Sequence, residues 1–428
     1  MKKISTESYK GVRDFYPEDM SVQNYIFEKM HETAKSFGYS EYSASILEPT
    51  ELYHAKSGEE LVSEQTYSFK DRGDRDVTLR PEMTPTLARM VAAKKRELSF
   101  PLRWYSIPNI FRYEQPQRGR LREHWQLNVD IFGVENNESE KEMISVAHRL
   151  LKNFGAKNDD FIIKINDRRI MNALYQKFEL TAEDAEHVSK ALDKKSKNPF
   201  EVFKSALSGI FKKDAHLEEF LEAIESNQKL IKTLGEDNSL VKNLMELIDG
   251  LASVGVTNVL FDPTIVRGLD YYTGIVFEIF DTDPKNKRAL FGGGRYDDLL
   301  SIFGNEKVSA VGFGAGDVTI KDFLETHALL PVYTSTTNLY LGVIDDAFST
   351  AQTFANSLRT IGVNVAVDYT GKSVGDQIKK ATNDHIPFIA IIGKKEVESK
   401  KLKIKNLATR EEVEFGFEGI EKIAKIIL

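Results

Sequence analysis

The chain has 428 residues, no cysteine, 41% hydrophobic and 29% charged residues, and a formal net charge of −7. That length holds roughly two to four domains; the lack of cysteine excludes a disulfide scaffold, cysteine-based zinc sites and a thiol nucleophile, and the acidic balance argues against a protein that coats nucleic acid non-specifically. No apolar run approaches a membrane span and the start MKKISTESYKGVRD has no signal-peptide apolar region, so a cytoplasmic protein is expected.

Residues 10–38 open with KGVRDFYP and continue into an amphipathic stretch. Ile26, Met30 and Ala34 recur there at helical spacing, and Gly38 is placed to stop the helix. EYSASILEPTELY reads as a strand-like run that Pro49 ends. Thr66 to Phe69 and Asp76 to Leu79 read as a hairpin around DRGDR. They deliver TLRPEMTPTLARM, in which Pro81 and Pro85 bracket Glu82 and Thr84 near a helix start. A carboxylate and a hydroxyl fixed in this way suit an ammonium group; alternatively, Thr84 caps the helix and Glu82 meets its dipole.

WYSIPNIFRYE reads as a strand ending in Arg112 and Glu114, and QLNVDIFG as a returning strand. The loop between them, QPQRGRLREHW, carries Arg118, Arg120 and Arg122. A strand, a basic loop and a second strand can clamp an anion with one arginine while the loop reaches a polyanion. An arginine-rich exposed hairpin has the same pattern. From 157 to 255 the character changes: FIIKIND is a strand, and Arg168 to Val254 is charged, glycine-poor and helix-patterned. Asn198 and Pro199 read as a cap and first helical position, with Phe200, Phe203, Leu207 and Phe211 as an apolar core stripe.

RGLDYYTGIVFE, Arg267 to Glu278, is the densest stretch. Arg267 offers a planar fork suited to phosphate, Gly268 allows close backbone approach, and Tyr271 and Tyr272 each bring a ring and a hydroxyl. Ile275 to Ile279 alternates like a half-buried strand. LFGGGRYDDLL places three glycines before Arg295 and Tyr296, read as a tight turn, and VSAVGFGAGDVTIKDFLETH as a strand entering a glycine-rich helix start. Residues 327–338 form a Ser/Thr-rich linker. Strands and helices then alternate as an α/β unit with a mostly parallel sheet. Within it, Lys372 to Lys405 holds nine lysines against four acidic residues, a local charge of +5.

RGLDYYTGIVFE resembles, nearly residue for residue, the signature peptide of histidyl-tRNA synthetases, and the other segments follow in that family's order. TLRPE-x-T resembles the peptide in which Glu82 and Thr84 hold the α-amino group of histidine. FR-x-E, a basic loop and Q-x-x-x-D resemble motif 2 of class II synthetases. The resemblance implies that Arg112 grips the α-phosphate and carboxylate, and that Glu114, Arg120 and His124 serve ATP. Gln117, Arg118 and Arg122 are implied to face tRNA, Gln126 to contact the α-amino group, and Asp130 to face the imidazole, where the family often has glutamate. Arg267 joins Arg112 at the α-phosphorus as a catalytic pair; Tyr271 and Tyr272 line the histidine pocket, where Tyr272 and Asp130 take the two imidazole nitrogens. LFGGGRYD resembles the second signature, with Asp298 in place of a glycine. The glycine-rich helix start resembles motif 3, with Thr319 in place of its arginine; Arg288 and Lys321 are nearby cations.

The implied fold is an α+β catalytic domain, an antiparallel sheet flanked by helices, built from 1–156 and 256–326. A mainly helical insertion spans 157–255, and an anticodon-binding α/β domain spans 339–428. The implied reaction uses ATP with Mg²⁺, L-histidine and tRNA(His) in a homodimer, with no metal site of the protein's own. A non-catalytic regulatory or tRNA-sensing paralogue is the alternative.

Overall fold

The N-terminal amphipathic stretch forms the helix Pro17–Ser36, with proline in its first turn and Ile26, Met30 and Ala34 fully buried. Gly38 follows it at φ +80°, a left-handed position that glycine adopts without strain. The structure, a computed structural model, describes residues 4–54, 65–193, 195, 199–235, 237–265, 271–304 and 307–428. They divide into two units, one up to Leu330 and one from Pro331.

The first unit contains β1 (Ser40–Glu41), β2 (Leu47–Pro49), β3 (Tyr67–Lys70), β4 (Asp76–Leu79), β5 (Leu102–Ser106), β6 (Asn109–Phe111), β7 (Glu123–Phe132), β8 (Phe161–Asp167), β9 (Val259–Phe261), β10 (Ile275–Asp281), β11 (Ala289–Arg295) and β12 (Ala310–Gly316). A nine-stranded sheet runs β1-β5-β7-β12-β11-β10-β8-β9, with β6 also on β7, and the expected hairpin β3–β4 sits with β2 in a small separate sheet. The interior pairings are antiparallel, and only the edges β1–β5 and β8–β9 are parallel. FIIKIND, which opens the segment 157–255, is β8 of this sheet, and the helices of that segment follow from Arg168.

Register decides which side of the sheet is chemical. Asp130 on β7 lies opposite Gly312 and Asn128 opposite Gly314, and these glycines in turn face Gly294 and Gly292 on β11. Side chains alternate along a strand, so these residues share one face. The alternate positions Leu127, Val129, Ile131, Val311, Phe313 and Ala315 point the other way. They join one core with Ile26 and Met30 and with Met143, Leu150 and Leu151 of the helix Glu138–Asn153.

Several sequence expectations are corrected. The glycine triplet is not a turn but the middle of β11, hydrogen-bonded on both sides. Ile275 to Ile279 is not half-buried: Val276 is as buried as Ile275, Phe277 and Ile279, because the sheet is covered on both faces here. EYSASILEPTELY breaks into β1, β2 and the short helix Glu51–His54. Pro199 precedes the helix Phe200–Leu207 instead of opening it, and Asn198 lies outside the described residues. Of the expected stripe, Phe203, Leu207 and Phe211 are buried, whereas Phe200 is 48% exposed.

The second unit is a five-stranded sheet, β14-β13-β15-β16-β17, with β13 (Leu339–Val343), β14 (Val365–Val367), β15 (Phe388–Ile392), β16 (Lys401–Asn406) and β17 (Glu412–Gly416). Two of its pairings are parallel and two antiparallel, so it is less parallel than expected: β16 and β17 close it as a meander. Leu402 and Ile404 face its core while Lys401 and Lys403 are exposed on the opposite side. That side borders a cavity of about 450 Å³ lined by Ile389, Ile391, Lys395, Lys401, Lys403 and Glu414, among others. Among the described residues, no helix is long and apolar enough to cross a membrane.

Candidate active site

The polar face of the large sheet has a floor made of backbone. A Cβ on Gly312 would lie 2.0 Å from Asp130 Oδ1, and one on Gly314 would lie 1.6 Å from Gln126 Nε2. Asp130 and Gln126 therefore lie flat across glycines, and only glycine leaves room for them. Gly294 meets Tyr272 in the same way, its missing Cβ 3.0 Å from the ring. The sheet thus brings Gln126, Asp130 and Tyr272 together over a cleared surface.

Asp130 is 4% exposed, and Tyr296 donates its hydroxyl to Asp130 Oδ1 at 2.5 Å. Burial raises the Asp130 carboxyl to about 7, although the Tyr296 hydrogen bond pulls it down. The same burial and the neighbouring carboxylate push the Tyr296 hydroxyl well up, so it stays a donor. Asp130 and Tyr272 are expected to take the two imidazole nitrogens, and the structure adds Tyr296 as a support behind Asp130. Tyr272 is anchored through its backbone, with its carbonyl accepting from Arg168 Nη1 at 2.7 Å. Tyr271 donates to Glu82 Oε2 at 3.1 Å, and Glu82 is itself buried. Thr84 is the first residue of the helix Thr84–Lys94 and does not cap it, since Met83 stands at the cap position. Arg80 fixes this peptide by bonds to the carbonyls of Asn109 and Ala44 at 2.8 and 2.9 Å. Residues 266–270, and Arg267 with them, lie outside the described residues.

Beyond β6 the basic loop begins. Arg112 spends its Nε on the Pro81 carbonyl at 2.8 Å, and among the described residues nothing bonds its two terminal nitrogens. His124, two residues before Gln126, is held neutral: burial, then the Arg112 and Arg13 charges, lower its pKa to about 3. Glu114 lies 3.3 Å from Arg120 Nη1. Gln117 accepts from Arg288, and Arg118 bonds Asn286, Thr326 and the Asp322 carbonyl. Arg122, implied to face tRNA, is instead 9% exposed, its guanidinium 4.0 Å from the Tyr113 ring centroid and bonded to the Glu114 and Lys10 carbonyls. In this structure it clamps the N-terminal segment to the loop.

That segment completes the site's edge, which the sequence reading did not foresee. The Gly11 carbonyl accepts from Arg122 and Glu123 where β12 no longer pairs with β7. Asp317, fully buried, takes the Trp125 N–H at 2.9 Å and Arg13 Nη2 at 2.7 Å. Asp317→Ala would strand both donors, so a loss of about 3–5 kcal/mol is expected. Chemical denaturation checks it, with a midpoint clearly below that of the parent chain.

Tyr296, the glycine floor and Arg13–Asp317 are the parts of the candidate site not assigned from sequence. The glycines of LFGGGRYD are read as a turn and those of GFGAG as part of a strand entering a glycine-rich helix start; the spacing of two in GFGAG was the signal for a strand face. The two departures from the family pattern have local explanations. Asp298 sits at φ −94°, where no glycine is needed, and pairs with Lys307 at 2.6 Å. Thr319 donates to the carbonyls of Leu290 and Gly316, at 2.6 and 3.1 Å.

A helix-backed antiparallel sheet whose open face carries a carboxylate, an amide and an arginine-led loop is the catalytic fold of class II aminoacyl-tRNA synthetases. The structure of histidyl-tRNA synthetase from Nostoc sp. PCC 7120 superposes with a TM-score of 0.84 at 22% identity, over 99% of this chain and 100% of that one. An ATP phosphoribosyltransferase regulatory subunit/histidyl-tRNA synthetase from Bacillus halodurans gives a TM-score of 0.76 at 24% identity, over 89% and 97%. Sequence carries the comparison further. The model for histidyl-tRNA synthetase matches residues 11–317, and that for an anticodon binding domain matches 332–425. The histidine–tRNA ligase of Leptospira biflexa is 42% identical over 99% of this chain and 98% of its own length. That of Haloarcula marismortui is 37% identical over 95% of each. The chain belongs to the histidyl-tRNA synthetase family.

Proposed function

We propose that the chain activates L-histidine with ATP and transfers it to the 3′-terminal adenosine of tRNA(His). A carboxylate oxygen of histidine attacks the α-phosphorus of ATP, and the bond to the departing pyrophosphate breaks. A ribose hydroxyl of the tRNA then attacks the carbonyl carbon of the adenylate, and AMP leaves. Such transfer depends on positioning and charge stabilisation. The observation that carries this reading is the row His124, Gln126 and Asp130 on one face of β7, laid over glycines and ending beside Arg112.

In this reading Asp130, backed by Tyr296, takes an imidazole nitrogen, and Tyr272 lines the pocket. Glu82, Thr84, Gln126 and Tyr271 hold the α-amino end. Arg112 and Arg267 flank the α-phosphate; His124 offers a neutral ring face to adenine, and Glu114 and Arg120 complete the ATP side. Mg²⁺ arrives with ATP on its outer phosphates. Gln117 and Arg118 reach the tRNA acceptor end by exchanging their present partners. The exposed lysine face of the second unit meets the tRNA elsewhere. The working form is a cytoplasmic homodimer.

The test is histidine-dependent exchange of labelled pyrophosphate into ATP, with other amino acids as controls. Exchange with histidine alone is expected. Its absence in folded protein that still binds histidine would move the chain to a regulatory role, which the full-length ligase relatives and the second unit disfavour.

A further inference from the structure

Thr319 leaves the start of the helix Asp317–Thr326 without a positive charge, and its hydroxyl is occupied by the Leu290 carbonyl at 2.6 Å. Two cations stand nearby in sequence, and the structure separates them. Lys321 Nζ lies between Asp19 and Glu325, 3.9 Å from each, and is balanced by two acids on the helix surface. Arg288, just ahead of β11, donates its Nη2 to Gln117 Oε1 at 3.1 Å.

Gln117 and Arg120 exchange both backbone hydrogen bonds at 2.9 Å, closing the loop tip into a tight turn. Gly119 within that turn, at φ +76°, is directed at Thr319; a Cβ on it would lie 3.5 Å from the Thr319 methyl. The loop tip, Thr319 and Arg288 therefore form one cluster. Its charges do not balance: among the described residues Arg118, Arg120 and Arg288 stand against Glu114, 3.3 Å from Arg120, and Asp322, 4.0 Å from Arg118. Burial and the charge on Arg120 hold the Arg288 pKa down, which places the two guanidiniums within electrostatic reach. Three cations held together around two carboxylates leave a surplus that a further, multivalent anion would satisfy.

We propose that Arg288 is an ATP-binding residue which, with Arg120, takes the terminal phosphates and supplies the charge that Thr319 does not. The proposal rests on reading the chain as an ATP-using histidine ligase. Arg112 lies at the start of the loop, toward the α-phosphate, and the Arg120–Arg288 pair at its tip, where the β- and γ-phosphates would extend.

The experiment uses the full chain with Arg288→Ala, Arg288→Lys and Lys321→Ala, measured by histidine-dependent pyrophosphate exchange. Loss of a charge-assisted contact predicts an ATP KM raised about 10- to 100-fold in Arg288→Ala. The KM for histidine should be unchanged, recovery in Arg288→Lys partial, and Lys321→Ala near the parent. Binding of a non-hydrolysable histidyl-adenylate analogue, which lacks the two outer phosphates, should be unaffected by Arg288→Ala. An unchanged ATP KM would overturn the proposal, as would a parallel loss of analogue affinity, because Arg288 would then act only by propping the loop through Gln117. Parent protein without any exchange would remove the ligase reading and this proposal together; parent exchange with an indifferent variant would remove this one alone.

Discussion

Replacing Arg112 with alanine is expected to slow histidine-dependent pyrophosphate exchange on the order of 10³-fold at saturating substrates. The guanidinium is anchored at one nitrogen by the Pro81 carbonyl at 2.8 Å, which presets its plane before substrate arrives. A preset charge stabilises the transition state without reorganising, so the loss falls on kcat more than on histidine binding. Lysine should restore little, since a point charge cannot both hold the Pro81 carbonyl and fork onto a phosphate. Arg267→Ala should behave similarly, with adenylate formation abolished and histidine binding largely intact. Stopped exchange assays with isothermal binding of histidine check both. Near-normal turnover in either variant would remove that arginine from the catalytic pair.

Asp130→Asn is the second large effect, and it is read through pH. Burial holds the Asp130 carboxyl at about 7, far above an ordinary aspartate. Its folded-state pKa is raised, so the fold binds this proton more tightly than the unfolded chain does. The associated stability is fully present below about pH 4 and is lost as pH rises through about 7. Histidine binding pulls the other way, because an imidazole N–H favours the carboxylate. Histidine affinity should therefore climb with pH below about 7 and then level off, beyond what the ligand's own titration near 6.5 explains. In Asp130→Asn the affinity should drop on the order of 10²-fold at neutral pH, and this extra slope should vanish. Calorimetric titrations from pH 5.5 to 8.5 measure it; the same slope in both proteins would exclude Asp130 as the titrating group.

Much of this site was legible in the chain because its chemistry is local. TLRPE, FRYE and QLNVD each place their groups within a few residues, and the periodicity of β7 already sets Gln126 and Asp130 on one face. What escaped was the part made by pairing between distant strands. Nothing near Tyr296 in sequence reveals that its hydroxyl ends on Asp130, since the contact depends on both residues sitting beside β12. Arg122 was misplaced for a related reason: it reads as one more loop arginine until the Gly11 segment is seen lying against it. The glycines of β11 were read by composition, which favours a turn, whereas their partners on β12 make them a surface. Exposure at Phe200 was equally invisible, because a helical stripe gives the side of burial but not where the cover ends.

The glycine floor also bears on how such a protein can change over evolutionary time. A pocket bounded by side chains can be enlarged or recoloured one substitution at a time. Here the base is main chain, and any residue larger than glycine at Gly312 or Gly314 would collide with Asp130 or Gln126. Specificity can drift only through the walls, while the floor stays fixed even in a descendant that has lost its chemistry. Paralogues that gave up catalysis would thus keep the same main-chain floor under Asp130 and Gln126.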